Sequence, residues 1–194
     1  MLLAAGAEPT LRWARAGASG TRSVLLGVSI VLSAAMAAVL MLPLVPAQHL
    51  AATPIVEINY DAGETVGWPV FARTVAGVHA GLPAAERDGA IVFTRNYGQA
   101  GAIDHYGAEL GLPPAYSGHN SYAEWGPPPE TTTTTIVIGY DRSRLEQWFG
   151  SVEEAARIDN GIGLDNDEQG TPVWICRDRL APWAQLWPQL RHLG

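Results

Sequence analysis

The stretch AIVFTRNYGQAGAIDHYGAEL, residues 90–110, decides the fold of this chain. Its first five residues are apolar and partly β-branched, as in a buried strand. A glycine-bearing turn follows, Asn96-Tyr97-Gly98-Gln99-Ala100-Gly101, and then a helical stretch to Leu110. Gly111-Leu112-Pro113-Pro114 breaks the chain, and Ala115-Tyr116-Ser117 reads as another brief strand. Strands that alternate with helices in this way belong to an α/β layered domain.

Working outward, Val66, Val70, Phe71, Val75, Val78 and Leu82 recur at intervals of three and four. That spacing predicts an amphipathic helix over 64–81, with Pro69 in its first two turns and Gly81 at its end. Downstream of a loop over 118–130, TTTTTIVIGY (131–140) is the clearest strand, dense in β-branched residues. Its five threonines could suggest a glycosylated stalk, but they run straight into Ile-Val-Ile-Gly. A helix capped by Asp141 is expected over 141–149, and 152–158 reads equally as strand or helix. A glycine-rich, acidic loop over 160–170 leads to a strand at 172–176 and a final amphipathic helix over 181–193. The expected architecture is an α/β domain over 64–194 with a largely parallel or mixed sheet.

Ahead of this domain lies VLLGVSIVLSAAMAAVLMLPLV, residues 24–45, without a formal charge. At about 1.5 Å per residue it can cross a hydrocarbon core of roughly 30 Å. Arg12, Arg15 and Arg22 precede it and Glu8 is the only acid there; nine arginines and eighteen acids follow, a net charge of −9. Arginine near a span resists translocation, so the expectation is a cytoplasmic segment over 1–23, a transmembrane helix over 24–45, a connector over 46–63 and an extracytoplasmic domain. A cleaved signal sequence ending at Val45-Pro46-Ala47 and a buried soluble helix are the alternatives. The lipid bilayer is therefore an expected partner. Gly27, Ser29 and Ser33 could partly share a face that packs on another helix.

About 145 residues beyond the first fifty suffice for one domain with a full core. The chain has no lysine, and an acidic domain without a basic cluster is a poor partner for nucleic acid. Cys176, the only cysteine, reads as a small buried hydrophobe in its strand; as a nucleophile it would need a base that nothing identifies. No cofactor motif is present, and the glycine spacing after residue 94 is not that of a dinucleotide-binding turn.

Two loops spend unusual residues at strand ends. In NYGQAGAIDHYG (96–107) a turn entering a helix suits an anion or serves only as a turn; Asp104 and His105 point about 100° apart on a helix and form no dyad. SGHNSYAEWGPPP (117–129) mixes hydrogen-bonding and aromatic side chains, which suits a sugar, or simply caps the sheet. Ser117 and His119 lack the third acid and the oxyanion hole of a hydrolase. Asp165-Asn166-Asp167-Glu168 has calcium-like composition without a calcium loop's spacing, and no metal site is assigned. The candidate substrate-binding residues are Asn96, Tyr97, His119, Asn120, Tyr122 and Trp125, and no catalytic residue is assigned.

The order ETVGWP (64–69), NYGQAGAIDHYG, SGHNSYAEWGPP, IVIGY, DNDEQG (165–170) and PVWICR (172–177) resembles the C-terminal extracytoplasmic domain of actinobacterial family 39 glycosyltransferases, relatives of the dolichyl-phosphate-mannose protein mannosyltransferases. The resemblance implies a membrane enzyme of the GT-C type that takes a sugar from a polyprenyl-phosphate donor to an acceptor glycan or protein outside the membrane. The family's catalytic acid lies in an early extracytoplasmic loop between membrane helices, which this sequence lacks. The expectation is a last helix plus outer domain, not catalytic alone: a truncated product, a split subunit that works with other membrane helices, or a mis-set start. An anchored, non-enzymatic module that binds a cell-envelope glycan or a partner protein is the alternative, and a degenerate fragment is a third.

Overall fold

A computed structural model describes residues 2–17 and 20–193. Of the expected N-terminal segment, residues 1, 18 and 19 lie outside those described, as does residue 194. The chain divides into two compact units, Met1–Ala62 and Gly63–Gly194.

The first unit holds two helices, α1 (Leu2–Arg15) and α2 (Thr21–Met41). The sequence reading assigns no element to the leader, which forms α1. Helix α2 has 21 residues, a mean hydropathy of 2.5 and no buried side chain. It is long and apolar enough to cross a membrane. It ends four residues before the expected boundary at 45, because Leu42 precedes Pro43 and residues before proline are driven out of the helical region. Leu42 is extended at φ −95° and ψ 146°. Two carbonyls freed at this end still find donors: Leu42 N–H reaches Ala38 O, and the Asn59 amide donates to Leu40 O at 2.7 Å. Single helical turns at Ala47–Leu50, Ile55–Ile58 and Tyr60–Glu64 make up the connector.

The second unit is a mixed five-stranded sheet with helices on both faces. Its strands are β1 (Ile91–Thr94), β2 (Ala115–Ser117), β3 (Thr135–Ile138), β4 (Phe149–Arg157) and β5 (Pro172–Arg179). They lie in the order β2-β1-β3-β5-β4. β1 pairs in parallel with β2 and β3, whereas β5 runs antiparallel to β3 and β4. Three helices accompany them: α3 (Trp68–Gly81), α4 (Tyr97–Tyr106) and α5 (Trp183–Leu190).

Because side chains alternate across a strand, each strand feeds two cores. Val92, Ile136, Ile138, Val173 and Ile175 pack with Phe71 and Val75 of α3 and Ala100 and Ile103 of α4. Ile91, Phe93, Val137, Trp174 and Cys176 pack on the other face with Trp183, Leu186, Trp187 and Leu190 of α5. Cover on both faces explains why β1 and β3 are mostly apolar, with one threonine each, Thr94 and Thr135, and are buried at every position.

Several boundaries differ from the sequence reading. Helix α3 starts at Trp68 instead of 64, since Gly67 takes a left-handed φ of 98° before Pro69 enters the first turn. The ladder of β3 begins at Thr135, after four of the five threonines. Helix over 141–149 shrinks to one turn, Arg142–Leu145, and after a turn over 146–148 β4 begins at Phe149. The ambiguous 152–158 is therefore mostly strand. Its alternation is illegible because β4 is a solvent-facing edge with a bulge between Glu154 and Ala156. Helix α5 is shorter than 181–193: Arg191 is extended, so that His192 pairs with the segment at 118–120. The α5 N-terminus is capped by Glu130, whose carboxylate accepts from Trp183 N–H at 3.0 Å and Ala184 N–H at 2.9 Å.

Candidate functional site

β1 sits between β2 and β3, so the chain leaves it toward one side and returns on the other. The crevice outside the carboxyl ends of such strands is where open α/β sheets place ligands. Here it is a cleft of about 640 Å³, within the range of small-molecule sites. Arg95, Asn96 and Gln99 line it after β1, Gly139, Tyr140 and Asp141 after β3, and His119, Asp167, Glu168 and His192 are among the residues of the remaining wall. Arg95, Tyr140, Asp141 and His192 also border an adjoining hollow of about 350 Å³ with Arg144 and Trp148.

The β1 wall is set by a capping box. Asn96 accepts from Gln99 N–H at 2.8 Å, while Gln99 Oε1 accepts from Asn96 N–H at 3.3 Å and Arg95 N–H at 3.2 Å. The Gln99 amide then donates to both oxygens of Glu168, at 3.2 and 2.9 Å. Gly139 lets the β3 end approach: its φ is 86°, and a Cβ there would stand 2.8 Å from both Arg95 Cβ and Gln99 Oε1. Glu168 is 7% exposed. Burial pushes its carboxyl up, against the hydrogen bonds from Gln99 and Asn96 that favour the ionised form, and Glu64 and Asp167 add to the rise.

His119 is 8% exposed and its ring stacks on His192 with centroids 4.5 Å apart. Its Nδ1 accepts from Tyr97 N–H at 3.4 Å. That assignment places the proton of the neutral ring on Nε2, which is buried without a partner. Burial chiefly, then the charges of His192 and Arg95, holds the His119 pKa below its ordinary value. Ser117 Oγ accepts from His119 N–H at 3.2 Å and donates to Arg95 O at 3.5 Å, a loop-fixing role.

Asn96 and His119 thus both line the cleft, whereas Tyr97, 55% exposed, stands beside them with its ring 5.0 Å from that of His119 but outside the lining. Asn120 adjoins them through its backbone, its N–H donating to His192 O at 3.0 Å from a left-handed φ of 50°. Tyr122 and Trp125 form a separate aromatic pair, 4.4 Å between centroids, outside the cleft lining. Tyr122 donates to Asp104 at 2.8 Å, and Asp104 also accepts from Ala115 N–H at 2.9 Å. His105 takes no part in that arrangement. Of the two readings of the turn before α4, an anion would meet competition, because Tyr97 and Gln99 N–H already donate to protein acceptors.

The sequence reading missed Arg95, Gln99, Tyr140, Asp141, Glu168 and His192. The Asn-x-x-Gln spacing at 96–99 is a legible capping signal; His192 carries none. In the 165–168 segment Asn166 donates to Gly63 O and Val66 O, and Asp167 N–H to the Glu64 carboxylate, so these residues tie a loop together. Among the described residues no three His, Cys, Asp or Glu gather in a metal-binding group. Cys176 is fully buried, and burial pushes its thiol up to about 12. Comparison with protein-family models, curated proteins and solved structures gives no match.

Proposed function

We propose that the protein is a membrane-anchored extracytoplasmic domain of a polyprenyl-phosphate-sugar-dependent glycosyltransferase, and that it works beside the other membrane helices of such an enzyme. On this reading α2 is the anchor, the arginine-flanked N-terminus is cytoplasmic, and the cleft holds the sugar of the donor or the acceptor glycan. The observation that carries the reading is the position of the cleft. It opens at the switch point of the sheet, between the segments that follow β1 and β3, and Asn96, Gln99 and His119 of the two loops whose sequences resemble the family, 96–107 and 117–129, line it. Chemistry stays with the partner helices, because the family's catalytic acid has no counterpart in the motifs of this chain.

A second reading, an anchored glycan-binding module without transfer, is favoured by one feature. The cleft is lined from 95 to 193 within a single compact unit, so binding needs nothing from another chain.

The test is transfer of a labelled sugar from a polyprenyl-phosphate donor in membranes that contain the chain or lack it. Transfer should fall on deletion, return with the wild-type chain and fail to return with His119→Ala. Undiminished transfer in the deletion refutes the first reading; saturable glycan binding by the purified chain would then support the second.

A further inference from the structure

Glu168 presents an unsolved charge. It is buried at 7% exposure, its oxygens accept from the neutral amide of Gln99 with Asn96 also favouring the ionised form, and among the described residues no arginine or histidine forms an ion pair with it. The charged groups that act on it are the acids Glu64 and Asp167. No lysine exists in the chain to answer it. Burying a carboxylate without a counter-ion is costly, and an amide dipole offsets only part of that cost. In the same cleft His119, 8% exposed, holds an Nε2 donor without an acceptor.

We infer that the cleft takes a protonated amino sugar, with the ammonium group on Glu168 and a ring hydroxyl oxygen accepting from His119 Nε2. This rests on the glycan reading above and names the sugar class. An ammonium brings one full positive charge and three donors in a compact group, which matches a carboxylate that already has its amide. A neutral hydroxyl would supply a donor and leave the charge unanswered. A phosphate at the Glu168 end would add repulsion from Glu168 and Asp167. The sugar's remaining hydroxyls face Arg95 and Asn96, both of which line the wall. The volume of about 640 Å³ admits a pyranose ring.

Glucosamine, glucose and N-acetylglucosamine form a matched set that differs at one substituent, charged in the first alone. Each is titrated against the full chain in detergent by isothermal calorimetry, slightly below neutral pH. Glucosamine should bind about tenfold more tightly than either neutral sugar, the size of one charge-assisted hydrogen bond. In Glu168→Gln the advantage should fall to about twofold or less, with binding of glucose retained. If Glu168→Gln does not fold, the comparison of the three sugars on the wild-type chain decides alone. Equal binding of glucose and glucosamine overturns the inference and leaves a glycan cleft standing. An advantage that survives Glu168→Gln overturns the assignment to that residue. Absence of binding by all three overturns the inference, and the transfer assay then judges the broader reading by itself.

Discussion

Replacing Gln99 by leucine separates two things this side chain does. Its Oε1 holds Arg95 and Asn96 N–H at 3.2 and 3.3 Å, long bonds at a solvent-near cap. Those two together contribute about 1 kcal/mol. Its Nε2 donates to a buried carboxylate, a charge-assisted bond of about 1.5–3 kcal/mol. Gln99→Leu should therefore destabilise the protein by about 3 kcal/mol when Glu168 is ionised, and by about 1 kcal/mol when it is protonated. The pH dependence follows from the raised pKa of Glu168. A carboxyl whose folded pKa exceeds its unfolded value, about 4.3, holds its proton longer in the native state. Its contribution to stability is greatest below the unfolded value and is lost as pH rises through the folded one. Removing the Gln99 donor raises the folded value further, so the same loss extends over a wider window.

The assay is urea unfolding of the detergent-solubilised chain, followed by tryptophan fluorescence, from about pH 4 to neutrality. The difference between wild type and Gln99→Leu should be smallest at the acidic end and grow to its full size at neutrality. In a Glu168→Gln background the pH-dependent part should vanish and the cap part remain. A difference that is constant across the range would refute the claim that Gln99 stabilises an ionised Glu168.

Two further outcomes can be checked on the same preparation. Gly118→Ala places a Cβ against the Leu190 carbonyl, which should break the pairing in which His192 N–H donates to Gly118 O and Asn120 N–H to His192 O. The expected loss is about 1–3 kcal/mol, with faster amide exchange at Asn120 and His192; unchanged exchange at those two amides contradicts it. Cys176, with its thiol raised to about 12 and no exposed surface, should resist thiol reagents at neutral pH until the chain unfolds. Labelling of the native protein at the rate of an exposed thiol would show the strand environment to be wrong.

The fold was legible where one physical signal dominated. Residues 90–94 and 172–176 are apolar because both faces of their strands are covered, and such runs stand out without periodicity. The direction of pairing was not legible, because a strand's composition does not say which way its neighbour runs. β4 hid for a different reason: it is an edge strand whose acids, Glu153 and Glu154, face water, and its bulge breaks the two-residue period. The end of α2 could have been placed at Met41 from Pro43 alone, since the residue before a proline rarely stays helical.

The site divides along the same line. Asn96 and His119 were legible as candidates because turn residues at a strand end announce themselves, and both line the cleft, with Tyr97 beside the His119 ring. The opposite wall was not, since Glu168 reaches Gln99 across 69 positions of chain. What joins them is topology. β1 has neighbours on both sides that run parallel to it, so the segments after β1 and β3 start at the same end of the sheet. The first turns into α4, and the second turns at Gly139 to avoid Gln99. Two chains that diverge from one edge leave a hollow between them. Any residue delivered to that hollow by the β4–β5 connection, as Glu168 is, becomes part of the site whatever its place in the sequence. Lengthening that connection should therefore disturb the cleft more than replacing Tyr122 or Trp125, although these are the more conspicuous residues.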